Sequence, residues 1–180
     1  MWPWGHLAFG YLAYSLVAHR WRGRPPDGRE AIVVAIATQF PDIVDKPLAW
    51  TVPILPSGRS FAHSLLTASI IVTFVTIYCR RTGREGALAF CVGYFSHIVG
   101  DAFGPLLAGE YVYLTFLLWP VLPVRADTEP SFAAHFESLL SLGFSAPELL
   151  LVAVTILLWV SDGVPGLSEF LDVLPRPNRW

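Results

Sequence analysis

Charged residues are scarce in this 180-residue chain: Asp, Glu, Lys and Arg make up 14% of it, against about 25% in a typical soluble domain. The net charge of −2 leaves no excess of basic residues, so we expect no nucleic-acid partner. Apolar residues take the place of the charges, with a hydrophobic fraction of 54% and a mean hydropathy of +0.53. This composition predicts a protein whose main partner is the lipid bilayer.

Cysteine is also rare. The chain has two, Cys79 and Cys91, which lack CxxC spacing and lie in apolar surroundings. They indicate neither a disulfide framework nor a thiolate metal site, and we expect both to serve packing. The first residues, MWPWGHLAFGYLAYSLVAHR, lack a basic leader and a small-residue cleavage site. This stretch therefore predicts a retained helix rather than a signal peptide.

Apolar segments dominate the chain, and no internal repeat separates it into halves. They cover about residues 5–19, 31–45, 61–79, 86–104, 106–124 and 147–161. The third to fifth approach the roughly 20 residues that cross a bilayer, whereas the others suit tilted, partly inserted or buried helices. We predict one all-α domain over residues 1–180, a polytopic membrane bundle of about four to six apolar helices. An amphipathic helix near 131–143 and an irregular tail complete it.

Basic residues concentrate in two connections between these segments. The first carries Arg20, Arg22, Arg24 and Arg29, and the other carries Arg80, Arg81 and Arg84. By the positive-inside rule these loops are cytoplasmic. Six ionisable residues then fall together at the opposite end of the bundle: His6, Asp42, Asp45, His63, His97 and Asp101. We expect a multi-pass protein of the cell membrane with this cluster on the noncytoplasmic side.

The spacing within the cluster favours convergence on one point. Asp42 and Asp45 are three residues apart, and His97 and Asp101 are four apart, as are Arg59 and His63. On helical backbone such pairs share a face. Ionisable groups at membrane depth usually pair with one another or with a cation. Imidazole and carboxylate ligands suit Zn²⁺ or Mn²⁺, and six of them allow one or two ions.

Each element also has a simpler explanation. His6 alone suits an interfacial residue beside tryptophans, and PDIVD alone suits a helix terminus with Asp42 at exposed amides. Arg59 could reach lipid headgroups above a buried His, and Asp101 could cap a helix. Their coincidence at one end favours a metal site. His19 and His135 lack a nearby carboxylate partner at that end, so we leave both outside it.

Four short motifs appear in order: GH near the N-terminus, then PDIVD, RSFAHS and SHIVGD. In this order the chain resembles membrane-bound metal-dependent hydrolases of the LexA-regulated inner-membrane type. The resemblance covers about residues 5–105, and residues 106–180 match only as further apolar helices and tail. It places the family's functional positions on His6, Asp42, Asp45, Arg59, His63, Ser64, His97 and Asp101. Gly58 departs from the pattern, since members often carry a His there.

The resemblance implies hydrolysis by a metal-activated water, without a defined substrate. The expected metal ligands are His6, Asp45, His63, His97 and Asp101. Asp42 is the expected general base, Arg59 the group that holds a substrate anion, and Ser64 a hydrogen-bond partner. An ester or phosphoester of a lipid-like amphiphile is the expected substrate.

Two other function classes remain open. One is a noncatalytic membrane protein that uses the cluster as a structural metal clip or partner-binding surface. The other is an ion or solute transporter, which would usually place its ionisable residues near the bilayer midplane and often shows repeated halves.

Overall fold

A computed structural model describes residues 1–127, 131–142 and 145–173. Every regular element in these ranges is a helix, which confirms the predicted all-α class for the described part of the chain. The elements are α1 (Pro3–Arg22), α2 (Gly28–Trp50), α3 (Leu65–Thr82), α4 (Ala87–Leu107), a 3-10 helix (Tyr111–Leu118), α5 (Phe132–Leu142), α6 (Ala146–Ser161) and α7 (Leu167–Val173). The tail Leu174–Trp180, expected to be irregular, lies outside the described residues.

Among the described residues two helices, α3 and α4, are long and apolar enough to cross a bilayer, fewer than the four to six predicted. α2 has the length, with 23 residues, but it carries Asp42, Asp45 and Lys46. α6 is apolar but has only 16 residues. The predicted segment 106–124 divides between the end of α4 and an eight-residue 3-10 helix, too short to span. Apolar composition alone overstated the number of spans because it counted segments that end early or bury charge.

α3 exposes most of its surface to the surroundings of the protein. Its apolar side chains Ile70, Phe74 and Ile77 are exposed, and only a small part of the helix is buried against the rest of the protein. An apolar surface of this kind is stable against hydrocarbon rather than water. α4 has the opposite environment, because it packs against α1, α2, α3 and the 3-10 helix.

Small residues let the central helices approach closely. A Cβ atom on Gly93 of α4 would lie 2.9 Å from the Cβ of Ala37 and 3.0 Å from the carbonyl oxygen of Val34. A Cβ atom on Gly10 of α1 would lie 2.1 Å from Cγ2 of Thr38. Glycine is therefore required where α4 and α1 cross α2, as is common between helices in membranes.

The arginine-rich connections lie at one end of this bundle. Asp27 and Glu30 form a reciprocal cap at the start of α2, and the buried Glu30 also pairs with Arg22 and Arg24. The second connection, between α3 and α4, lies at the same end, since a Cβ atom on its Gly86 would lie 3.4 Å from Cγ2 of Val33 near the start of α2. The predicted functional residues belong to the other half of the molecule.

Candidate metal centre

The eight residues predicted for the site come from three helices and one loop. His6 lies in the first turn of α1, Asp42 and Asp45 lie in α2, and His97 and Asp101 lie in α4. The loop between α2 and α3 supplies the rest. Seven of the eight form one connected cluster, in which each side chain contacts at least one other. They are His6, Asp42, Asp45, Arg59, His63, His97 and Asp101.

His63 and His97 form the centre of the cluster. His63 Nδ1 lies 2.8 Å from Asp45 Oδ2, and His97 Nδ1 lies 2.6 Å from the carbonyl oxygen of Thr38. Both partners only accept hydrogen bonds, so each Nδ1 must carry the ring proton. In a neutral ring Nε2 then presents a lone pair. The two Nε2 atoms face each other at 3.0 Å, and two lone pairs at that distance repel unless a proton or cation lies with them.

Carboxylate oxygens surround this pair of nitrogens. His63 Nε2 is 3.5 Å from Asp42 Oδ1 and 3.5 Å from Asp101 Oδ2. His97 Nε2 is 3.8 Å and 3.7 Å from the same two oxygens. Negative oxygens and imidazole nitrogens thus converge on one small volume. In a group of three, His63, His97 and Asp101, the ligand atoms lie within 4.8 Å of one another.

A second group comprises His6, Asp42 and His97, again with ligand atoms within 4.8 Å. The rings of His6 and His97 stack with their centroids 3.7 Å apart. Asp42 Oδ1 and His6 Nδ1 are buried without a hydrogen-bond partner among the described residues, and His6 Nε2 has only its contact with Asp101 Oδ1 at 3.2 Å. Buried polar atoms normally have such a partner. The donor set and these unpaired atoms fit a bound divalent cation.

The pKa of His63 also indicates that the cluster favours a positive charge at this position. Burial opposes a charge on the ring, but the nearby carboxylates of Asp101, Asp42 and Asp45 outweigh burial and raise the pKa of His63 to about 10. Without a cation, His63 therefore holds a proton at neutral pH, and that proton relieves the contact with His97. Metal ligation requires neutral imidazole, so a bound cation would replace this proton.

Asp45 was predicted as a metal ligand, and the structure shows both of its oxygens engaged elsewhere. Oδ1 accepts from the backbone N–H of Ala62 at 2.8 Å, and Oδ2 accepts from that of Ser60 at 2.9 Å. Oδ2 also accepts from the backbone and the ring of His63. In this arrangement Asp45 orients His63 and holds the loop that carries it.

Arg59 and His63 were predicted to share one helical face, and this is wrong. Residues 51–64 are non-helical, and α3 begins only at Leu65. The loop still brings both side chains to the cluster, because Asp45 binds its backbone. Arg59 Nε lies 2.9 Å from Asp101 Oδ2, while its side chain remains 46% exposed.

Ser64 lies beside the cluster but has a structural contact of its own. Its hydroxyl accepts from the backbone N–H of Leu66, which caps the first turn of α3. The same hydroxyl donates to the carbonyl oxygen of Trp119 at 2.5 Å. Ser64 therefore joins α3 to the segment that follows the 3-10 helix.

The cluster lies deeper in the helices than the sequence suggested. His97 and Asp101 were expected to close the fourth helix, but α4 continues to Leu107, so His97 is the middle residue of 21. α2 likewise continues through two prolines to Trp50, beyond Asp45. Prolines at these positions predict helix ends from the sequence, and tertiary packing overrides them here.

A polar cleft of about 390 Å³ opens beside the cluster. Arg59 and Asp101 line its inner end, together with Lys46, whose Nζ lies 2.8 Å from Asp42 Oδ2. Sequence reasoning missed Lys46, although its spacing of four residues from Asp42 on α2 is a usable signal. His135, which we left outside the site, also lines the cleft.

Sequence reasoning also missed Asp127, which lines the same cleft. Its carboxylate accepts from Trp50 Nε1 at 2.7 Å, from the Ser57 hydroxyl at 2.6 Å and from the backbone N–H of Gly58 at 2.6 Å. Asp127 thereby fixes the loop next to Arg59. The contact spans about 70 residues of sequence, so no local pattern could have revealed it.

A separate polar group joins α1 to α6. Asp162 accepts from the hydroxyls of Tyr11 and Ser15 at 2.8 and 2.7 Å, and it lies 3.4 Å from His19 Nε2. His19 therefore has a carboxylate partner, but one remote from the cluster. Leaving His19 out of the predicted site agrees with this position.

Family comparison covers nearly the whole chain. Residues 1–164 match the family described as YdjM inner membrane protein. The chain belongs to this family. The YdjM match includes all eight predicted site residues and extends well beyond residue 105, where the motif resemblance ended. Together with α3 and α4, YdjM membership identifies a membrane protein associated with the bilayer. No curated protein and no solved structure matches the chain.

Proposed function

We propose that this member of the YdjM family is a membrane-bound metal-dependent hydrolase. The observation that carries the proposal is the pair of His63 and His97, whose Nε2 atoms face each other at 3.0 Å while both Nδ1 atoms donate elsewhere. Carboxylate oxygens within 3.8 Å complete a ligand set for a divalent cation. Imidazole and carboxylate together favour Zn²⁺ or Mn²⁺.

His63, His97 and Asp101 would hold the first ion, and His6 and Asp42 would supply ligands to a second. When bound, such a cation supplies Lewis acidity that polarises an ester and makes water a stronger nucleophile near neutral pH. The orientation of the ligands comes from the chain itself. Asp45 and the Thr38 carbonyl select the Nδ1–H tautomer of the two rings, which leaves both Nε2 atoms available.

With one ion bound, Asp42 is the general base. Its Oδ2 is held by Lys46, whereas Oδ1 is buried without a hydrogen-bond partner among the described residues. A carboxylate oxygen in this position can accept a proton from water. If two ions bind, Asp42 becomes a ligand, so the number of ions per chain decides its role.

Arg59 is suited to hold the anionic part of a substrate. Its Nε is fixed on Asp101, and nearly half of the side chain is exposed at the cleft. A guanidinium is a permanently charged planar donor that matches carboxylate and phosphate oxygens. The cleft, at about 390 Å³, has the size of a small-molecule site.

A structural metal clip is the main competing function. The burial of His63, His97 and Asp101 favours it, since structural sites are closed whereas catalytic sites keep an open position. The exposed Arg59 and the adjacent cleft favour catalysis. The position of His97 in the middle of α4, and not at its end, favours the alternative function of a transporter.

Metal analysis of detergent-purified protein tests the proposal. We expect one or two Zn²⁺ or Mn²⁺ ions per chain in the wild type and a loss of bound metal in His63→Ala. Hydrolysis of an ester and phosphoester panel should fall with it. His19→Ala is the matched control, since His19 also contacts a carboxylate but lies away from the cluster.

Removal of the metal should abolish hydrolysis, and adding Zn²⁺ or Mn²⁺ back should restore it. Wild-type protein that binds metal but turns over no member of the panel would support the structural clip. Protein that binds no metal at all would remove the metal-centre hypothesis.

A further inference from the structure

The cleft beside the candidate metal centre is lined by three basic and three acidic residues, which differ in how far protein contacts already engage them. Of its acidic residues, Asp127 has both oxygens occupied by protein donors, and Asp101 contacts Arg59 and His6. Lys46 is paired with Asp42. Arg59, through the part of its guanidinium that does not contact Asp101, and Arg125 are exposed at the cleft, as is one carboxylate, Glu110. A bound cation would add to this positive charge.

Arg125 is held in place at the cleft, and no carboxylate of the described residues forms an ion pair with it. Its guanidinium carbon lies 4.8 Å from the centre of the Tyr113 ring. Stacking on an aromatic face leaves the in-plane N–H groups of arginine available to an anion. Arg59 and Arg125 reach the cleft from different segments, the α2–α3 loop and the segment after the 3-10 helix.

Hydrocarbon-compatible surface begins at the same wall of the cleft. The 3-10 helix contributes Tyr113 and Phe116 to the lining, and its neighbouring side chains Tyr111, Val112 and Leu118 are exposed. In a membrane protein, exposed apolar side chains of this kind face lipid. A ligand with its anion between the two arginines can therefore place an alkyl chain against the 3-10 helix.

We propose that the substrate is a phosphoester carried on an alkyl chain, with its phosphate held by Arg59 and Arg125. This inference rests on the proposed hydrolase function. In the reaction, the oxygen of water bonds to phosphorus and the P–O bond to the leaving alcohol breaks. Asp42 takes one proton from the water, and the alcohol oxygen receives one. A phosphoester and water thus give an alcohol and a phosphate.

Binding of a non-hydrolysable analogue tests this inference without requiring turnover. In dodecyl maltoside, dodecylphosphonate should bind at least ~10-fold more tightly than methylphosphonate, because the longer probe also buries an alkyl chain. Arg125→Gln should weaken dodecylphosphonate binding about tenfold, which corresponds to the loss of one charge-assisted contact. Titration calorimetry measures both effects, with metal-free and metal-loaded protein.

Arg84→Gln is the matched control. Arg84 also stacks on a tyrosine, with its guanidinium carbon 5.7 Å from the Tyr78 ring, but it lies at the opposite end of the bundle. Its substitution should leave phosphonate binding unchanged. Equal affinities for the two phosphonates would overturn the alkyl-chain requirement, and unchanged affinity in Arg125→Gln would overturn the role of Arg125.

Hydrolysis separates this inference from the proposed function. Metal-loaded wild type should cleave phosphatidic acid or phosphatidylglycerol in mixed micelles faster than glycerol 3-phosphate. Cleavage of nitrophenyl dodecanoate alone would overturn the phosphoester assignment and retain the hydrolase. Failure to cleave any of these probes would count against both.

Discussion

At the scale of single residues, Asp45 is a fully buried carboxylate that organises the loop carrying His63. Its two oxygens accept four hydrogen bonds from Ser60, Ala62 and His63. Three of these donors are backbone N–H groups of one loop. The carboxylate thereby compensates for its own burial, and it determines both the position and the tautomer of His63.

Asp45→Asn tests whether this residue orients or ligates. The amide keeps one acceptor oxygen but loses the charge and adds an unwanted donor, so we expect metal affinity to fall about 10–100-fold, as for other groups that support a ligand. His63→Ala should lower the metal affinity by a much larger factor. Competition with a metal-binding dye measures both.

The matched control for that experiment is Asp162→Asn. Asp162 is also a buried carboxylate with hydroxyl partners, but it joins α1 to α6 away from the cluster. Its substitution should lower stability and leave metal affinity unchanged. If Asp45→Asn loses metal as completely as His63→Ala does, Asp45 is a ligand, as the sequence had predicted.

Arg59→Lys separates charge from geometry. Lysine keeps the positive charge but loses the planar donor fork, so we expect ester or phosphoester hydrolysis to fall about 10–100-fold, in line with the loss of a hydrogen bond to a charged group. Metal content should stay unchanged, because arginine is not a ligand. Steady-state kinetics and metal analysis on the same preparation give both values. Unchanged hydrolysis would limit Arg59 to its ion pair with Asp101.

At the scale of elements, the crossing of α2 and α4 sets the geometry of the candidate metal centre. His97 follows Gly93 by one turn of α4, and its Nδ1 bonds to the Thr38 carbonyl of α2 at 2.6 Å. That contact requires the helix backbones to lie close together. Gly93 permits this approach, because any Cβ there would meet Ala37 and the Val34 carbonyl at about 3 Å.

Gly93→Val should separate α4 from α2. We expect a loss of about 1–3 kcal/mol in stability, typical of overpacking, together with reduced metal binding as His97 moves away from Thr38. Gly104→Val is the control on the same helix, since a Cβ there meets nothing within 4 Å. Thermal unfolding followed by circular dichroism, with metal analysis, compares the two. Similar behaviour of both variants would contradict the close-packing argument.

At the scale of the whole molecule, charge is divided between the two ends of the bundle. α3 ends and α4 begins at a connection with Arg80, Arg81 and Arg84. The positive-inside rule predicts that this connection is cytoplasmic. Since α3 and α4 both have the length to cross the bilayer, we then expect the loop that carries His63 on the other side. The expected orientation of α3 and α4 is the same whether or not other helices cross the bilayer.

Cysteine labelling tests this topology. Ser57 in the loop that carries His63 is buried, so the exposed Thr51 is the better labelling site. With Cys79 and Cys91 replaced by alanine, Thr51→Cys should react with an impermeant maleimide in cells whose inner membrane is intact. Glu85→Cys, in the arginine-rich connection, should react only after lysis. The reverse pattern would invert the assigned orientation.

The sequence by itself determined the helical class, the apolar character of α3 and α4 and the membership of seven of the eight predicted residues in one cluster. These properties follow from local composition and from motif order, which do not depend on how the helices pack. The helical periodicity that linked His97 to Asp101 was also local, and the structure retains it.

The tertiary structure alone decided which atoms meet and why. Asp45 binds a loop that sequence reasoning took for helix, Ser64 caps α3, Arg59 pairs with Asp101, and Asp127 reaches the cleft from a distant segment. Each of these contacts joins residues far apart in the chain or depends on non-helical backbone. Their geometry arises because buried donors and carboxylates must satisfy one another wherever packing brings them together, and no local pattern records that requirement.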